Sequence, residues 1–104
     1  KLIDGLQSIN YYKGEAILRE GDEGEEFYII EQGSCECLKL YDTKGRKGFV
    51  MVRTLKAGEH FGELALIKHE PRSLTIRAKE HCKLLKLDKE TFTRILGTIE
   101  KHLK

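Results

Sequence analysis

Between His60 and Thr75 the chain gathers residues suited to holding an anion: Gly62 and Glu63 open a short run of helix formers, and Arg72 follows Pro71. Glu63–Ile67 is long enough for about one helical turn, and a single turn cannot satisfy its own N-terminal N–H groups. Those donors, with the positive end of the helix dipole, suit a phosphate or carboxylate. Gly62 lets the backbone approach a ligand closely. Arg72 offers a planar fork that matches a pair of phosphate oxygens, and Pro71 restricts the approach to it. Glu63 beside this positive centre suits a ligand that also presents a hydroxyl, as a ribose does. Taken singly, Arg72 at a strand start reads as a surface ion-pair partner and Glu63 as an ordinary helix-terminal charge. Their combination carries the information, and Arg72 is expected to serve the ligand more than the core.

Other chemistries fit less well. His60 and His69, with Glu59 and Glu63, sketch a metal-dependent cupin site. Such a site needs a His-x-His pair, whereas the histidines here stand singly at 60, 69, 81 and 102. No metal site is expected. No nucleophile–base pair, P-loop or kinase catalytic motif occurs, so no catalytic residue is assigned and any catalysis belongs to other parts of a parent protein. Cys35, Cys37 and Cys82 are odd in number and lack C-x-x-C spacing. They read as small core thiols in a reducing, cytoplasmic compartment. The formal net charge of +2, with both signs interspersed, argues against nucleic acid. No apolar run is long enough for a transmembrane helix. The chain opens on Lys1, which reads as the start of a fragment.

The elements that must position the anion site are mostly strands. Ile9–Tyr12, Ala16–Arg19, Phe27–Glu31, Cys35–Tyr41, Phe49–Leu55, Ser73–Ala78 and Cys82–Leu87 are short β candidates separated by Gly-containing turns. The cluster Gly21-Asp22-Glu23-Gly24 supplies two glycines available for positive φ, and Asp42–Gly48 reads as a polar loop. Cys35, Cys37 and Lys39 fall on one strand face, with Glu36, Leu38 and Leu40 on the other. From Asp88 the period changes: Phe92, Ile95, Leu96, Ile99 and Leu103 have helical spacing, with Asp88 as N-cap. The expected fold is mainly β with flanking helices: a small β-barrel or jelly roll containing a short phosphate-binding helix and closed by a C-terminal amphipathic helix. It is one domain, with 1–8 ending an N-terminal helix, 9–87 the barrel with its cassette at 61–78, and 88–104 the C-terminal helix.

Phe61-Gly62-Glu63-Leu64-Ala65-Leu66 followed by Pro71-Arg72-Ser73-Leu74-Thr75-Ile76 resembles the phosphate-binding cassette of cyclic-nucleotide-binding domains. Gly21-Asp22-Glu23-Gly24, Phe27-Tyr28-Ile29-Ile30, Gly33 and Leu87-Asp88 extend the likeness over nearly the whole chain. The resemblance implies that Glu63 accepts from the ribose 2′-hydroxyl and Arg72 pairs with the cyclic phosphate. Backbone amides of Gly62, Leu64, Ala65 and Ser73 complete the cradle. The fit is best to regulatory domains of cyclic-nucleotide-dependent protein kinases, and within them to cGMP-dependent ones. In cGMP-selective members an arginine on the strand before the cassette and a hydroxyl after the phosphate arginine contact guanine, and Arg53 and Ser73 match those places. Leu74 stands where many relatives carry alanine, and the family's base-capping lid lies beyond the last barrel helix.

The expectation is therefore an allosteric module that binds a cyclic nucleotide, cGMP before cAMP, with no cofactor. Its parent is expected to be a cGMP-dependent Ser/Thr protein kinase. The partners implied are the kinase catalytic domain or adjacent regulatory domains of the parent chain. The alternatives are a cAMP-binding regulatory domain of a cAMP-dependent kinase, a cyclic-nucleotide-gated channel, a nucleotide-free interaction module and, remotely, the cupin-like enzyme.

Overall fold

In a computed structural model, residues 6–24, 26–62 and 70–94 are described. Eight strands follow in chain order: β1 Leu6–Tyr11, β2 Ala16–Leu18, β3 Glu26–Gln32, β4 Ser34–Thr43, β5 Arg46–Lys56, β6 His60–Phe61, β7 Thr75–Ala78 and β8 Cys82–Asp88. They form two antiparallel four-stranded sheets, ordered β1-β8-β3-β6 and β2-β7-β4-β5. This is the expected jelly roll.

Alternation decides which side chains fill it. Tyr28 and Ile30 from β3 and Leu84 from β8 meet Cys37 from β4 and Ile76 from β7 in one core, joined by Leu18, Leu55 and Phe61. Cysteine serves where the sheets meet side chain to side chain: Cys35 Sγ of one sheet lies 3.8 Å from Cys82 Sγ of the other, both wholly buried. Burial, with the neighbouring Cys82, drives the Cys35 thiol far above its ordinary pKa, so it stays protonated and acts as a small apolar filler. All three cysteines are buried free thiols, as expected of core fillers.

Three local expectations need correction. Leu6–Ser8, placed in a helix, pair in register with Leu85–Leu87 as the start of β1. The polar stretch 42–48 is not a loop. Lys44 (φ 54°) and Gly45 (φ 75°) make a two-residue turn, and both strands run up to it. Two consecutive positive φ values match the twist of a hairpin, which lets β4 and β5 extend through polar residues. Finally, β6 pairs Phe61 with Tyr28 and His60 with Ile29. Two residues show no alternation, so no sequence period marks them.

Asp88 acts as the expected N-cap, its Oδ1 accepting from the Thr91 N–H at 2.7 Å, and residues 89–94 are helical. The C-terminal part of the expected helix, including Ile95, Leu96, Ile99 and Leu103, lies outside the described residues.

Candidate functional site

Arg72 is the centre of the site. It is only 5% exposed. Its Nη1 donates to the Gly62 carbonyl and its Nη2 to the Glu26 carbonyl, each at 2.8 Å. Its backbone is pinned too: the Arg72 N–H donates to the Asp22 carbonyl at 2.7 Å, and the Gly21 N–H donates to the Arg72 carbonyl at 2.8 Å. The turn after β2 holds its backbone while the start of β3 and the end of β6 hold its guanidinium, so three segments converge on one residue. Arg72 was expected to serve the ligand more than the core; the structure shows that it also ties three segments of the barrel.

Two glycines make the arrangement possible. Gly62 sits at φ 97°, and a Cβ there would crowd Arg72 Nη1 and the Glu26 carbonyl at 3.0 Å. Gly24 has no positive φ. Its requirement is space, since a Cβ on Gly24 would overlap Nε, Cζ and Nη2 of Arg72. The sequence marked Gly24 as a turn residue and missed this contact. Its only hint is the lack of a side chain at a spot where the cassette arginine must pass.

The next turn of chain reinforces the placement. Glu20 accepts from the Leu40 N–H at 2.9 Å and from Lys39 Nζ at 3.0 Å. Lys39 Nζ also donates to the Ser73 carbonyl at 3.3 Å, and the Glu20 N–H donates to Thr75 Oγ1 at 2.9 Å. The Leu40 N–H, followed by Lys39, holds the Glu20 carboxyl below its ordinary pKa.

Gly62, Arg72, Ser73 and Arg53, all predicted site residues, line one cavity with an apolar floor that includes Cys37 and Leu55. Among the described residues, two arginines and one glutamate, the exposed Glu70, line it, a balance that suits an anion. Arg53 pairs with Cys37 across β4 and β5; burial raises the Cys37 thiol's pKa and the nearby Arg53 opposes that rise. The other predicted residues, Glu63, Leu64 and Ala65, lie outside the described residues, as do Leu66, Ile67 and His69. No cluster of potential metal ligands occurs among the described residues.

A family model, the cyclic nucleotide-binding domain, matches residues 8–98. The chain belongs to this family. This cyclic nucleotide-binding domain is 46% identical over 99 residues to the cAMP-dependent protein kinase regulatory subunit of Blastocladiella emersonii, covering 95% of this chain and 24% of that protein. It thus spans about a quarter of the length of such relatives. Among solved structures it resembles the regulatory domain of Toxoplasma gondii PKA crystallised with cAMP, with TM-score 0.81 and 35% identity over 96% of this chain and 38% of that one. The regulatory subunit of a cAMP-independent protein kinase A from Trypanosoma brucei is equally similar in fold, with TM-score 0.81 and 30% identity over 96% of this chain and 36% of that one.

These relatives overturn two expectations. The relatives are cAMP-dependent protein kinase regulatory subunits, not cGMP-dependent kinases, and they are regulatory subunits rather than kinases. The guanine assignment of Arg53 and Ser73 falls with the first. The domain is a regulatory ligand-binding module, not a catalytic one.

Proposed function

We propose that the chain binds cAMP as a regulatory domain of a cAMP-dependent protein kinase regulatory subunit, with the kinase catalytic subunit as its protein partner. One observation carries the phosphate part of this reading: a buried guanidinium, held by two backbone carbonyls, lines an anion-favouring cavity. An arginine fixed in this way has given up its rotamer freedom before a ligand arrives, which lowers the cost of binding. The T. brucei relative has the same fold and a cAMP-independent name. Fold alone therefore does not select the ligand, and the arginine with its surroundings is what favours a cyclic phosphate. In this reading Arg72 pairs with the phosphate, and amides near Gly62 and Ser73 donate to it. Glu63 takes the ribose 2′-hydroxyl. The names of the relatives support adenine over guanine.

Competition calorimetry with cAMP and cGMP tests the proposal. cAMP is expected to bind at least tenfold more tightly. Arg72→Lys keeps the charge but loses the fork, and giving up one charge-assisted bond costs about 1.5–3 kcal/mol, or roughly ten- to a hundredfold in affinity. Equal affinity for the two nucleotides, or unchanged cAMP binding by Arg72→Lys, would overturn the reading.

A further inference from the structure

Beyond Leu38, β4 leaves its pairing with β7 and continues with β5 as a two-stranded ribbon. This ribbon carries exposed apolar side chains that the nucleotide site does not use. Phe49, Val50, Met51 and Val52 are each more than half exposed, and Leu40 and Tyr41 are 47% and 41% exposed. Register places Leu40 beside Phe49 and Leu38 beside Met51, so Leu40, Phe49 and Met51 share one face. Tyr41 and Val50, which partner Gly48 and Lys39, lie on the opposite face, so the apolar patch is the one made by Leu40, Phe49 and Met51. β5 is also the edge of its sheet and, at 11 residues, the longest strand described.

Charge narrows what this edge accepts. From Lys39 through Lys56, both included, stand six lysines and arginines against one aspartate, a net of +5, in a chain whose total is +2. A second copy pairing antiparallel edge to edge about Val50 would set Lys47 of each copy against Arg53 of the other, the kind of charge clash by which sheet edges avoid self-association. An anionic bilayer fits poorly as well: Lys44, Arg46 and Lys47 occupy the hairpin tip, so headgroups would hold the tip and leave Phe49 and Met51 behind it. An acidic strand satisfies both features, because its backbone completes the edge, its apolar residues cover Phe49 and Met51, and its carboxylates meet the cations.

We propose that the β4–β5 hairpin is a docking site for an extended, acidic segment of a partner protein that adds as a strand to β5. The test uses two synthetic nine-residue peptides, one alternating glutamate with valine and one alternating lysine with valine, titrated into this chain by NMR. The glutamate peptide should shift the amides of Lys47–Arg53 saturably and the lysine peptide should not. Phe49→Ser with Met51→Ser should weaken binding at least tenfold. Arg46→Glu with Lys47→Glu should reverse the preference between the peptides. Thermal melts confirm that each variant is folded, and the result does not depend on which nucleotide the domain binds. Absence of shifts, equal response to both peptides, dimerisation through the hairpin in sedimentation, or binding to phosphatidylserine vesicles without peptide binding would each overturn the proposal.

Discussion

Gly24→Ala isolates the arginine anchor from the rest of the fold. The new Cβ would occupy the space of Arg72 Nε, Cζ and Nη2, so the guanidinium must move. Moving it breaks the 2.8 Å bonds to the Gly62 and Glu26 carbonyls. Gly24 has no positive φ, so alanine meets no backbone strain there and loses less chain entropy on folding, a gain of about 0.4–1 kcal/mol. Against this stand two charge-assisted hydrogen bonds worth about 1.5–3 kcal/mol each, partly recovered if the displaced group reaches water. The net expectation is destabilisation of about 1–3 kcal/mol, measured by urea unfolding. Binding should suffer more. With Arg72 out of place a buried phosphate lacks its charge partner, a loss of about 3–5 kcal/mol or more than a hundredfold in affinity. Calorimetry on a double-mutant cycle then makes the test specific. In an Arg72→Ala background, Gly24→Ala should change cAMP affinity less than threefold and should no longer destabilise. Near-normal cAMP binding by Gly24→Ala, or full additivity of the two losses, would refute the reasoning.

Two further outcomes follow from neighbouring contacts. Glu20 has a lowered folded-state pKa, so its contribution to stability is complete above the ordinary carboxylate range and is lost as pH falls through the lowered value; unfolding measured between pH 7 and pH 3 should show a shallower acid slope for Glu20→Gln, and an unchanged slope would remove Glu20 from that role. Phe27 touches the His60 ring at 5.4 Å and the Phe92 ring at 4.9 Å, and aromatic pairs are worth about 0.5–1.5 kcal/mol each; Phe27→Ala should cost about 1–3 kcal/mol and uncouple residues 89–94 from ligand in hydrogen exchange, while protection equal to that of the parent chain would show that the ring transmits nothing.

The strands were legible because their inward positions alternate: Tyr28 and Ile30, Cys35 and Cys37, and Cys82 and Leu84 are buried by turns. Lys44-Gly45 was hidden because a two-residue turn leaves Asp42, Thr43, Arg46 and Lys47 looking like loop, although their backbones are paired. At the site, Gly62 and Arg72 were legible by type and spacing, and the structure joins them through one hydrogen bond. Gly24 was not, since its need arises from a residue 48 positions away that only the fold brings near. Base selectivity was misjudged as well. Arg53 and Ser73 suit a guanine contact by residue type alone, and type does not fix which base is met; relatives named for cAMP are what overturned the guanine assignment.

Ligand binding and fold stability meet in Arg72. The guanidinium that lines the cavity is bonded to the Glu26 carbonyl, and the next residue, Phe27, packs on Phe92 of the helical run 89–94. A phosphate drawing on Arg72 therefore acts on a group whose position is shared with the start of β3, and β3 carries the ring that meets the helix. Such contiguity becomes a switch only if the helix has two placements and the ligand prefers one of them. The bonds to Glu26 and Gly62 set the scale: altering one of them on binding would supply about 1.5–3 kcal/mol of preference, enough to change a two-state ratio by roughly ten- to a hundredfold. A ligand that met Arg72 without disturbing either bond would bind equally well to both placements and would leave the helix where it was.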